Sequence, residues 1–178
     1  MLVGPAGSGK THLGQLWHRR SDAALVNPAR FDIEHAAGLV ERKRAAWVDD
    51  ADRIGGDRTA EAALLHLYNL VKAAAGTLLL TARSAPSTWP LGLPDLASRL
   101  KAAMVVTIDS PDDALLGSVA LKLFADRQIA VGEDMISYLL TRGERSFAWI
   151  AQAVEAIDRA ALAAKRPVTV ALAREVLS

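Results

Sequence analysis

Eight residues near the start of the chain constrain its fold more than any others. Gly4-Pro5-Ala6-Gly7-Ser8-Gly9-Lys10-Thr11 fills every position of the pattern G-x-x-x-x-G-K-[ST]. Its glycines let successive backbone N–H groups turn inward around an anion. Lys10 adds a mobile positive charge, and the Thr11 hydroxyl can ligate Mg²⁺. The helix that comes next points its positive end at the same place. Such a loop needs a strand before it and a helix after it. Met1–Val3 reads as the strand and Lys10–Arg20 as the helix. A bare glycine-rich turn would also join a strand to a helix, but here eight positions and their context agree on a phosphate cradle. Gly4, Pro5, Ala6, Gly7, Ser8, Gly9, Lys10 and Thr11, with His12 beside them, are the candidate nucleotide contacts.

The second informative stretch is Ala45-Ala46-Trp47-Val48-Asp49-Asp50, an apolar strand ending in two carboxylates, 39 residues after Lys10. Beside a phosphate loop, this strand is expected to lie next to the first one. Asp49 then holds Mg²⁺, mostly through water, and Asp50 points at the water that attacks the terminal phosphate. The plainer alternative is that the two acids end a strand and, with Asp52, cap a turn.

Elsewhere, short apolar runs alternate with helical stretches, the pattern of βαβ units around a parallel sheet. Further strands are expected at Ala24–Val26, Thr77–Leu80 and Met104–Ile108. Further helices are expected near Ile33–Arg42, Thr59–Ala75 and Pro94–Lys101. From Asp109 onward the pattern is helical only. Ser110-Pro111-Asp112-Asp113 reads as an N-cap, a proline at N1 and two first-turn acids. Four helices come after it: Asp112–Arg127, Glu133–Thr141, Arg145–Lys165 and Val170–Leu177. In the third, Phe147, Ile150, Ala151, Val154, Ile157, Ala161 and Leu162 share a face. The expected organisation is an α/β base over 1–109, its first strand cut short, and a helical lid over 110–178.

Composition excludes several classes. The chain has 178 residues, 51% hydrophobic and 23% charged, which is a globular balance. There is no Cys, so disulfides, thiolate metal sites and Cys nucleophiles are impossible. A formal net charge of +1 is too small for wide contact with nucleic acid. Apolar runs fall far short of the roughly 20 residues that span a bilayer, and no secretory n-region opens the chain. A cytoplasmic protein is expected, without a membrane partner. His12, His18, His35 and His66 include no pair at i, i+4 metal spacing.

With both loop and acidic strand in place, the chain resembles the AAA+ ATPases. Within them it resembles the DnaA-type initiator branch, and most closely the Hda family of short DnaA-related regulators. Four stretches carry this: GPAGSGKTHL, WVDDADR, LLLTARSAPSTWPLGLPDLASRL and RSFAWIAQAVEAIDRAALAAKRPVTVALAREVL. They run over nearly the whole chain. The first two occur in many AAA+ proteins and the last two are specific. The resemblance implies a P-loop fold with a parallel five-stranded sheet, helices on both faces and a small helical lid. It implies ATP or ADP with Mg²⁺ as ligands.

It also implies roles for single residues. Arg99 matches the arginine finger that reaches a neighbouring subunit's nucleotide, and Arg145 matches the sensor 2 arginine that reports nucleotide state to the lid. Asp95 is placed to cap the helix that bears Arg99. The expected function is that of a regulator of replication initiation, with Arg99 acting in trans on DnaA-bound ATP. Self-association would be compatible with that. Two other functions remain open: a self-contained ATPase such as a helicase loader, and a nucleotide-independent scaffold.

The chain departs from the family at three places. The sensor 1 position, usually Asp or Asn, holds Arg83, which cannot accept a hydrogen bond from water. Thr81 is the candidate substitute, and self-hydrolysis is expected to be weak. The family segment ahead of the first strand, which contacts adenine and carries a motif for the DNA polymerase sliding clamp, is not represented in this sequence. Nor is the helix-turn-helix domain of DnaA, so sequence-specific DNA binding is not expected. Trp89, in a proline-flanked loop, reads as packing against its own sheet rather than as a partner anchor.

Overall fold

The structure is a computed structural model and describes residues 1–27, 38, 40 and 43–178. The helix expected over Ile33–Arg42 falls on residues almost all of which lie outside the described ones, as do His35 and Arg42. The chain forms two compact units, Met1–Pro5 with Gly9–Ile108, and Asp109–Ser178 with Ala6–Ser8.

The first unit is a five-stranded parallel sheet: β1 (Leu2–Val3), β2 (Ala24–Val26), β3 (Ala45–Val48), β4 (Thr77–Ala82) and β5 (Val106–Thr107), in the order β2-β3-β4-β1-β5. All four β3 residues are buried, as an inner strand of a parallel sheet should be. At the edge, β2 alternates, with Leu25 turned outward between Ala24 and Val26. The expectation that β3 adjoins β1 is corrected, because β4 lies between them. Lateral order depends on how each crossover returns to the sheet, and hydrophobic periodicity within a strand does not encode it.

The register of β4 aligns its two neighbours. Val48 pairs with Leu80, and Val3 with Ala82. One strand thus brings the end of β3 and the end of β1 to the same edge of the sheet. The ladder continues past β1, where Gly4 donates from N to Ala82 O at 3.1 Å.

Helices α1 (Lys10–Ser21), α2 (Arg58–Ala73) and α3 (Pro94–Lys101) belong to this unit, with short 3-10 helices at Ala51–Ile54 and Pro86–Thr88. Its core includes Val3, Val48, Leu64, Leu67, Leu80 and Leu96. Trp89 is buried in it, its Nε1–H donating to Ser84 O at 3.0 Å. The loop tryptophan is therefore held by its own fold.

Gly14 of α1 lies flat against the Trp47 indole, and a Cβ there would overlap the ring. Among the described residues Trp47 Nε1 has no hydrogen-bond partner, and packing holds the ring. Gly→Ala inside a helix ordinarily gains about 1 kcal/mol. Here overpacking costs about 1–3 kcal/mol, and the clash wins. Gly14→Ala is expected to lower the urea midpoint. A raised midpoint would show that α1 can slide away from β3 freely.

The second unit packs α4 (Asp113–Ala125), α5 (Glu133–Arg142), α6 (Phe147–Ala164) and α7 (Val170–Val176) around Leu116, Phe124, Leu139, Ile150, Val154 and Ile157. The buried face of α6 includes Ala153, while Ala151 and Leu162 point out, correcting part of the expected stripe. The α4 cap is Asp112, whose carboxylate accepts from Leu115 N at 2.8 Å, two residues later than the expected Ser110. Among the described residues, no helix is long and apolar enough to cross a membrane.

Candidate functional site

The loop between β1 and α1 takes the conformation its glycines permit. Gly7 and Gly9 have φ of 76° and 90°, in the left-handed region that side chains disfavour. Gly9 immediately precedes α1, and the N-terminal N–H groups of that helix are free of intrahelical acceptors by construction. The buried Lys10 side chain folds back across the loop, and its Nζ donates to Pro5 O at 2.6 Å.

The pairing of β3 with β4 places Asp49, the residue after β3, beside Thr81 of β4. The Thr81 hydroxyl donates to Asp49 Oδ1 and accepts from Asp50 N at 3.1 Å. Thr11, from the first turn of α1, donates to Asp49 Oδ2 at 2.9 Å. Thus Thr11, Asp49 and Thr81 form one cluster at the carboxyl ends of the strands, the edge where open α/β sheets bind ligands. Asp50 sits at φ 49° just past the strand, a conformation that Asp tolerates better than most residues. Its N–H is tied to Thr81 and its side chain lines a cleft of about 600 Å³, together with Thr11, His18, Trp47 and Asp49. Asp49 does more than end a strand, because two hydroxyls from other elements engage it.

The donor set bears on Mg²⁺ directly. One carboxylate and one hydroxyl suit an ion that brings its remaining ligands from water and phosphate. Among the described residues, no cluster of three or more His, Asp or Glu side chains could hold a metal by itself. Thr11 and Asp49 therefore fit an ion arriving with a nucleotide.

Thr81 was the candidate for a water-orienting group. Its one hydroxyl proton is already given to Asp49, which leaves only acceptor capacity. Arg83 is exposed just past β4, and His12 is exposed on α1.

Arg99 lies on α3 with its own ties. Its Nε and Nη2 both donate to Asp95, each at 3.0 Å, and its guanidinium stands 5.3 Å from the centre of the Tyr68 ring. The Asp95 hydrogen bond and charge hold the guanidinium above its usual pKa. Asp95 does not cap α3; the cap position is Leu93, with no side-chain bond. Arg145 lies before α6 rather than opening it, since the helix begins after the Ser146 cap. It pairs with Asp113 of α4, Nη2 to Oδ1 at 2.5 Å.

Sequence reasoning missed Glu61, which is fully buried in α2. It accepts from Gly56 N at 3.1 Å, from Gly92 N at 2.9 Å and from Leu93 N at 2.9 Å. Burial pushes its carboxyl up, but the N–H groups of Gly92, Gly56 and Leu93, with the nearby Arg58 charge, outweigh it and hold the pKa below the usual value. An acid three residues ahead of Leu64 and six ahead of Leu67, on the buried face of α2, was the available signal.

Comparisons with known proteins point the same way. A family profile described as the Hda lid domain matches residues 118–177. An uncharacterized protein of Haemophilus influenzae is 28% identical over 185 residues, covering 99% of this chain and 80% of its own length. Domain III of the Thermotoga maritima replication initiation protein DnaA superposes with a TM-score of 0.82 at 16% identity, covering 99% of this chain and 81% of that one. AMPPCP-bound DnaA of Aquifex aeolicus gives 0.72 at 17% identity, over 88% of this chain and 54% of that one. Residues 118–177 are thus similar to the Hda lid domain, and the chain as a whole has the fold of the DnaA initiator domain.

Proposed function

We propose that the chain binds ATP or ADP and regulates replication initiation by acting in trans on DnaA. The observation that carries nucleotide binding is the gathering of Lys10, Thr11 and Asp49 at the carboxyl ends of β1, β3 and β4. The AMPPCP-bound Aquifex protein shares this fold and supports the same ligand class. The N–H groups of the loop past Pro5 and of the start of α1 would cradle the phosphates, Gly4 and Pro5 would shape the turn that leads into them, and His12 would border them. Lys10 would swing from Pro5 O to the anion. Thr11 would turn its hydroxyl oxygen, and Asp49 its carboxylate, toward Mg²⁺, which supplies charge neutralisation on the phosphates. Arg145 would report on the same ligand by exchanging Asp113 for phosphate.

Hydrolysis in cis is proposed to be slow. Asp50 is the remaining carboxylate that could hold an attacking water, since the Thr81 oxygen already accepts from Asp50 N and Arg83 cannot accept a hydrogen bond. The bound nucleotide is then chiefly structural. Arg99 would supply its guanidinium to ATP on DnaA.

Two measurements test this. Calorimetric titration with ATP and ADP is expected to show binding, and Lys10→Ala to weaken it about 100-fold, as loss of a charge-assisted contact implies. No heat at millimolar nucleotide would mark a scaffold instead. Adding the chain to ATP-loaded DnaA is expected to accelerate hydrolysis there. Steady turnover by the chain alone, abolished by Asp50→Asn and Lys10→Ala, would mark a self-contained ATPase.

A further inference from the structure

Arg99 is held by more than its own helix. Its guanidinium carries five N–H bonds. Two of them, on Nε and Nη2, go to the two oxygens of Asp95. One face rests on the Tyr68 ring. That leaves both Nη1 hydrogens and one on Nη2 without a carboxylate partner, with the Tyr68 hydroxyl within reach of the group, and the side chain is 29% exposed. Three donors in a plane suit a phosphate oxygen pair, which is the geometry an arginine fork recognises.

The mounting beneath it comes from α2. Glu61 fixes the backbone at Gly92 and Leu93, immediately before α3 begins. Tyr68, seven residues further along α2, contacts the guanidinium at the far end of α3. One helix therefore sets both where α3 starts and where its arginine ends.

We infer that Asp95 and Tyr68 are positioning residues for Arg99, holding its guanidinium so that the Nη1 edge is presented to an anion on a partner. The inference rests on the reading of Arg99 as a trans-acting finger. Asp95 orients the arginine and does not mask it. A pair spaced i, i+4 on a helix surface is a weak tie, too weak to withhold the side chain from a partner, yet sufficient to bias its rotamer. Positioning of this kind raises rate rather than affinity, because the oriented edge matters when charge builds in the transition state.

The test is single-turnover hydrolysis of ATP on DnaA with the full chain titrated to saturation. Asp95→Ala is expected to lower the maximal rate about fivefold with the half-saturating concentration unchanged, and Tyr68→Leu about threefold. In an Arg99→Ala background, neither substitution should change the remaining rate, whereas damage to α3 at large would lower it further. Melting temperatures check folding, and Asp95→Asn, which keeps one acceptor, stands in if the alanine variant does not fold; it is expected to lose about twofold. Wild-type maximal rates in Asp95→Ala and Tyr68→Leu, alongside an inactive Arg99→Ala, would overturn the positioning role alone. A wild-type rate in Arg99→Ala would overturn the finger itself.

Discussion

Replacing Arg99 by alanine is expected to leave the chain's own nucleotide affinity intact and to cut its stimulation of ATP hydrolysis on DnaA by about 10³-fold or more, the usual worth of an arginine finger. The two effects separate because the residues separate. Lys10 is tied to Pro5 of the loop and Thr11 to Asp49, whereas Arg99 is tied to Asp95 and Tyr68. The loss would not come from unfolding. Arg99 contributes a solvent-screened ion pair and a ring contact, both weak ties, so the melting temperature of the variant should stay close to wild type. Arg99→Lys sharpens the argument. It keeps the charge but replaces a planar fork with a point charge that cannot grip Asp95 with two parallel bonds and still present an edge. Most of the stimulation should therefore be lost in the lysine variant as well. Normal stimulation by Arg99→Ala in a single-turnover assay would end the trans reading, whatever the chain does with nucleotide.

What the sequence made legible was local. The glycine-rich loop is a contiguous pattern within eight residues, and the structure gives Gly7 and Gly9 the positive φ that such a turn demands. The β3 run ending in Asp49 was readable for the same reason. Strand order was not, since nothing within β3 or β1 says that β4 will come between them. Cap choice was degenerate, because Ser110 and Asp112 are both good caps and only the fold decides that Asp112 meets Leu115 N. Asp95 was noticed for its place near the start of α3, but its i, i+4 spacing to Arg99 was the stronger signal. The partners that matter most were out of reach. Thr81 lies 32 residues from Asp49, and Glu61 lies 32 from Leu93. Only the register of β4 and the packing of α2 bring them together.

Glu61 carries the largest expected stability effect. A carboxylate in an apolar interior is costly unless every oxygen is satisfied, and here three backbone N–H groups converge on it from two loops. Charge-assisted hydrogen bonds of this kind contribute about 1.5–3 kcal/mol each, but water can reach some donors once the carboxylate is gone, so the contributions do not add. Glu61→Ala is expected to cost about 3 kcal/mol by urea unfolding. Glu61→Gln should cost about 2 kcal/mol, since its amide turns an N–H toward donors that need an acceptor. The pH dependence distinguishes charge from shape. The folded-state pKa lies below the usual value, so the unfolded chain takes up the proton first as pH falls. The stabilisation is fully present above about pH 4.3, the ordinary Glu value, and drains away as pH drops through the folded-state value. Wild type should therefore lose stability below that point more steeply than Glu61→Gln, whose amide does not titrate. Parallel acid limbs for the two proteins would mean that Glu61 stabilises the fold by filling space, and that its charge has no part in fixing the loop from which α3, and Arg99 with it, begins.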